Sequence, residues 1–158
     1  MKYVRRTKKE IKTNFLEELL KDRGVLKENW DLENFLSPTR ENLLNPLDLD
    51  NMEKGFKCFK KHLENGSRFY FVVDCDVDGF SSSSTLINYM NDYLKALFPN
   101  FSIEYYTPEG KAHGLETIMN IFTKEKICDL IILPDSSSND YQWHEELKKL
   151  GYDILVLD

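Results

Sequence analysis

The sequence predicts an α/β protein: a mostly parallel sheet covered by helices on both faces, with a helical N-terminal lead-in. Three observations predict this. Four apolar runs, "RFYFVV", "FSIEYY", "DLIIL" and "DILVL", have strand length and β-favouring residues. The segments between them carry apolar residues at helical spacing. The runs are also continuously apolar rather than alternating, as in strands buried on both faces.

The elements follow in order. Ile11, Phe15, Leu16, Leu19 and Leu20 recur at helical spacing, and Gly24 is a stop. "NWDLENFLSPTRENLLNPLDLDN" mixes Pro, Asn and Asp with Leu and reads as an irregular connector with short turns. A helix from about Asp50 to Leu63 is expected to bury Met52, Phe56 and Phe59, ending at Asn65-Gly66. After the first strand, Ser81 to Leu97 reads as a helix with Leu86, Met90, Tyr93, Leu94 and Leu97 on one side. After the second, Gly114 to about Lys124 is a helix with Leu115, Ile118, Met119 and Phe122 inward. Asn139 to Leu150 is the last helix, and "DILVL" the fourth strand. The expected division is a lead-in, residues 1–66, packed on an α/β domain, residues 67–158.

The chain has 158 residues, enough for one sizeable core, and 41% hydrophobic with 30% charged residues is ordinary for a globular protein. No apolar run reaches the roughly 20 residues that span a bilayer. The basic start, "MKYVRRTKKEIK", lacks the apolar core of a secretory signal. Cys58, Cys75 and Cys128 have no paired spacing, which suggests reduced thiols and a cytoplasmic location. A net charge of −6 argues against a general nucleic-acid binder, unless its acids hold cations that invert the local field.

The acids are placed in a pattern. Asp74, Asp76 and Asp78 occupy alternate positions directly behind the first strand. Asp135 follows the third strand and Asp158 the fourth. In a parallel α/β sheet, ligands bind beyond the carboxyl ends of the strands. Carboxylates crowded there repel one another and raise each other's pKa unless a hard divalent ion neutralises them. Other readings of Asp-x-Asp-x-Asp-Gly fit less well. An EF-hand loop needs Glu at its twelfth position, where this chain has Thr85, and the preceding run is strand-like. Phosphatases of the haloacid dehalogenase type carry Thr or Val where Asp78 stands. A polar turn with one capping Asp explains one carboxylate, but not three with Asp135 and Asp158.

These residues resemble the DHH phosphoesterase superfamily, and within it the RecJ-like single-strand-specific exonucleases. "VVDCDVDGFSSSSTL" resembles the first motif of that family, "LIILPDSSSND" the second, and "ILVLD" the lead-in to the Asp-His-His motif. "EGKAHGLE" resembles its Gly-containing segment, and "FLSPTRENLLNPLDLDNMEKGFKCF" the RecJ lead-in. The likeness covers roughly Asn34 to Asp158. It implies a DHH-type domain cut at the third motif, without that motif's histidines, the fourth-motif Asp or the substrate domain. Ser136-Ser137-Ser138 also stands where the family has Gly near its Asp.

The resemblance implies manganese- or magnesium-dependent hydrolysis of phosphodiesters in single-stranded DNA, in DNA repair, with two ions in the complete site. Asp76 and Asp135 carry the chemistry, and Asp74, Asp76, Asp78, Asp135 and Asp158 form the metal set. Asp76 is the best ligand of these, and Asp158 more an orienting group. Ser82, Lys111 and His113 are candidates for a substrate phosphate, although helix capping and a surface loop also account for them. Nothing marks His62 or His144 as ligands, and Trp30 and Trp143 read as core. Little turnover by this chain alone is expected, with partners in a missing C-terminal half or among other DNA-repair proteins. The alternatives are a non-catalytic binding or regulatory module and a small-nucleotide DHH phosphatase.

Overall fold

The computed structural model describes residues 14–26, 32–43, 45–108, 110, 114–116 and 118–158. They fall into two compact units, residues 1–49 and 50–158. The first holds α1, Phe15–Asp22, α2, Leu32–Leu36, and 3-10 turns at Arg40–Asn42 and Pro46–Asp48. Asn14 starts α1 by accepting the Leu16 and Glu17 amides, at 3.2 and 3.4 Å. Ile11 lies outside the described residues.

The second unit holds the sheet. Its strands are β1, Arg68–Val72, β2, Ser102–Tyr106, β3, Leu130–Pro134, and β4, Asp153–Leu157. All pairs are parallel, in the order β2-β1-β3-β4. The helices are α3, Met52–Glu64, α4, Val77–Tyr89, α5, Lys95–Leu97, α6, Met119–Lys124, and α7, Tyr141–Lys149.

The strand period of two sorts the central side chains onto two faces. Phe69, Phe71, Leu130 and Ile132 pack with Leu63 of α3 and with Met90, Leu86 and Ile87 of the α4 segment. Tyr70, Val72, Ile131 and Leu133 pack with Met119 and Phe122 of α6 and Leu147 of α7. The sheet is thus covered on both faces, as the strand pattern predicts. Helix α3 belongs to the sheet unit rather than to the lead-in. Edge strand β2 is the least buried of the four.

Three details differ from the periodicity. Phe56 is 60% exposed, because Gly55 faces the sheet, where an added Cβ meets Leu155 at 3.2 Å. Tyr93 and Leu97 are exposed, because a π turn at Met90–Leu94 rotates the following residues off the helical stripe. Helix α6 begins at Met119 rather than Gly114, whose φ of 73° is left-handed. Among the described residues, no helix is long and apolar enough to cross a membrane.

The topology creates a crevice. β1 and β3 are neighbours, but the chain leaves β1 toward one edge over one face, and β3 toward the other edge over the opposite face. Ligands of open α/β sheets bind at such a switch point, beyond the carboxyl ends of the strands.

Candidate metal centre

The end of β1 is held firmly before the acids begin. Val73 donates to the Tyr106 carbonyl at 3.0 Å, carrying the β1–β2 pairing one residue further. Asp74 follows, buried. Asp76 is exposed and is the N-cap of α4, its Oδ1 accepting the Gly79 amide at 3.0 Å. The helix therefore starts at Val77, four residues before the expected Ser81. Gly79 packs against the turn so closely that an added Cβ lies 2.5 Å from the Asp74 Cβ and 2.8 Å from its carbonyl oxygen. The glycine thus fixes where Asp74 sits.

Asp135 is delivered in the same way from β3. Its amide donates to the Leu157 carbonyl at 3.0 Å. Asp135 and Ser137 have φ of 61° and 72°, a left-handed backbone that is uncommon outside glycine and that gathers at functional sites. The Asp135 carboxyl is held above its ordinary pKa by burial, then by the charges of Asp76, Asp78, Asp158 and Asp74.

Asp74, Asp76 and Asp135 each place a carboxylate oxygen within 4.8 Å of the others. Three hard oxygen donors with mutually unfavourable charge are a fit for Mg²⁺ or Mn²⁺. The Oγ atoms of Ser136 and Ser137 are shielded from solvent and have no hydrogen-bond partner among the described residues. Two orphaned hydroxyls beside the acids are consistent with a site that receives a polar ligand.

The other expected residues are placed differently. Asp78 and Asp158 are near enough to act on the Asp135 charge but stand outside the trio. Asp158 accepts the Ser138 amide at 3.3 Å, which ties the second acidic turn to the end of β4. Ser82 donates to the Gly79 carbonyl at 3.2 Å within its own helix. Lys111, His113 and Trp30 lie outside the described residues.

Two further features were not revealed by spacing. Asp140 accepts the Leu115 amide at 2.9 Å, and an added Cβ on Gly114 meets the same carboxylate at 2.7 Å. This pins the 114–115 turn to the start of α7. A shallow groove of about 560 Å³, lined by Cys75, Asp76, Val77, Phe80, Ser81 and Ser84, opens beside Asp76. Val77 is 80% and Phe80 45% exposed there, although apolar side chains on a helix of this kind are expected inward. The Asp-Gly turn carries the signal for Gly79, but nothing local marks Asp140, whose partner is 25 residues away.

Fold and site together define an α/β protein with a carboxylate cluster at the switch point of a parallel sheet. No family model matches the chain. Over 143 residues, 90% of its length, it is 35% identical to a Bacillus subtilis (strain 168) protein provisionally named SPbeta prophage-derived single-strand DNA-specific exonuclease YorK. The same figures hold for a Bacillus phage SPbeta protein, provisionally named single-strand DNA-specific exonuclease yorK. The chain spans 23% of the length of each of these relatives.

Proposed function

We propose that this chain is the metal-binding part of a DHH-type, RecJ-like nuclease that hydrolyses phosphodiester bonds in single-stranded DNA. The observation that carries the proposal is the meeting of Asp74, Asp76 and Asp135, from two strand ends, within 4.8 Å. The provisional names of the relatives point to the same substrate.

Asp74, Asp76 and Asp135 hold the cation, Mn²⁺ or Mg²⁺. A bound divalent ion supplies Lewis acidity toward a phosphoryl oxygen and lowers the pKa of a bound water. Asp76 divides its carboxylate between two tasks: Oδ1 fixes the start of α4 and Oδ2 is available to the ion. Asp78 and Asp158 add negative field that favours cation entry. The groove at Val77 and Phe80 offers an apolar face to a base beside the site, with Ser81 and Ser84 on its rim.

The test is a labelled single-stranded oligonucleotide mixed with the protein in Mn²⁺ and in EDTA. Binding or cleavage that needs the cation, prefers single over double strands and disappears in Asp76→Asn is expected. Binding equal in EDTA, and unchanged in Asp76→Asn, contradicts the proposal.

A further inference from the structure

We propose that Cys58, His62 and Asp153 form a second metal site, suited to Zn²⁺, at the opposite end of the sheet from the carboxylate turns. Cys58 and His62 stand at i and i+4 on α3, so they share one helix face. Asp153 is the first residue of β4. One ligand atom of each lies within 4.8 Å of the others. A sulfur, an imidazole nitrogen and a carboxylate oxygen make a mixed donor set that suits zinc better than the hard ions expected at the other end.

The surroundings orient these ligands. His62 is buried, and its Nδ1 lies 2.9 Å from the buried Ser67 Oγ. Its Nε2 lies 2.8 Å from Asp153 Oδ2. Without a metal, Nε2–H donates to Asp153. Zinc would displace that proton, and with Nδ1–H then donating to Ser67 the Nε2 lone pair would face the ion between Asp153 and Cys58. A metal-bound histidine characteristically has its second nitrogen held in this way. Cys58 is a half-buried free thiol, so it is shielded yet reachable. The competing cation is Lys61, whose Nζ lies 3.1 Å from the same Asp153 oxygen. Its side chain is mostly exposed and can swing into solvent, and Asp153 has a second oxygen. Three protein ligands with Asp153 half exposed leave a fourth position to water. Zinc there ties α3 to edge strand β4, the outer strand of the sheet.

Cobalt(II) is the probe, because a thiolate ligand gives a sulfur-to-cobalt charge-transfer band that carboxylates cannot give. The full chain is expected to bind one Co²⁺ with this band, and Zn²⁺ is expected to displace it. Zinc about a hundredfold above Kd is expected to raise Tm by about 5–10 °C. Cys58→Ser, close in size, is expected to lose the band. Asp153→Asn, which keeps a partner for His62, is expected to bind at least about tenfold more weakly. Asp76→Asn is expected to leave the band intact. Absence of the band in the folded wild type, or its survival in Cys58→Ser with Cys75 as the source, overturns the proposal.

Discussion

Two residues decide whether the acidic turns can work. Gly79 leaves no room for a methyl group, which would lie 2.5 Å from the Asp74 Cβ. Gly79→Ala is expected to destabilise the chain by about 1–3 kcal/mol, the range for overpacking, and to weaken Mn²⁺ binding. Denaturant titration and calorimetry check both. Asp135 acts in the opposite sense. Its pKa is raised by burial and then by four neighbouring carboxylates, so the folded state keeps a proton that the unfolded chain releases near pH ~4. The stability that Asp135 contributes to the metal-free chain is therefore fully present below the unfolded value and is lost as pH rises through the folded one. Asp135→Asn is expected to flatten that fall, raise the metal-free Tm at neutral pH and cut Mn²⁺ affinity by at least about 100-fold. Thermal melts across pH, with and without Mn²⁺, read all three. Asp153 has the reverse sign. The hydrogen bond from His62 lowers its pKa first, with Lys61 adding to this against its partial burial, so the stability it contributes is present above pH ~4 and lost in acid.

Elements turn these residues into a site. Helix α4 starts where Asp76 caps it, so its first turn carries Val77 and Phe80 to the groove beside the acids. Phe80→Ala is expected to weaken binding of an oligo(dT) by about 1–3 kcal/mol, the value of one base–aromatic stack. Fluorescence anisotropy in Mn²⁺ measures it, with the fold checked by circular dichroism. On the other face, the Tyr152 hydroxyl donates to the Phe122 and Glu125 carbonyls, at 3.0 and 2.9 Å, and closes the end of α6. Tyr152→Phe leaves those carbonyls without this donor and is expected to cost about 1 kcal/mol in denaturant titration. Such elements are unevenly legible in the sequence. "RFYFVV" and "DLIIL" announce central strands because both faces are buried. Helix α6 is shorter than its apolar spacing suggests, because Gly114 and the Leu115–Asp140 bond interrupt the pattern. The π turn at Met90–Leu94 leaves no mark in composition, so helical spacing puts Tyr93 and Leu97 on the wrong side.

At the scale of the whole molecule, parallel strands put every strand's carboxyl end on one edge, and the order β2-β1-β3-β4 opens a crevice between β1 and β3. The sequence names the acids, since each follows a recognisable strand. It does not reveal which of them meet, because strand order is a long-range property: Asp74 and Asp135 are neighbours only because β1 pairs with β3. Asp158, behind the outer strand β4, is correspondingly farther out and stands outside the trio. The second cluster is illegible for the same reason, since His62 and Asp153 are 91 residues apart. The most direct test of the account is Mn²⁺ calorimetry on the metal-free chain and on Asp76→Asn, in which Asn still caps α4 while the ligand charge is gone. Saturable uptake by the wild type, lost or strongly weakened in the folded variant, is the predicted result. No uptake by the wild type, or equal uptake by both, contradicts the claim that acids from two strand ends hold a divalent cation.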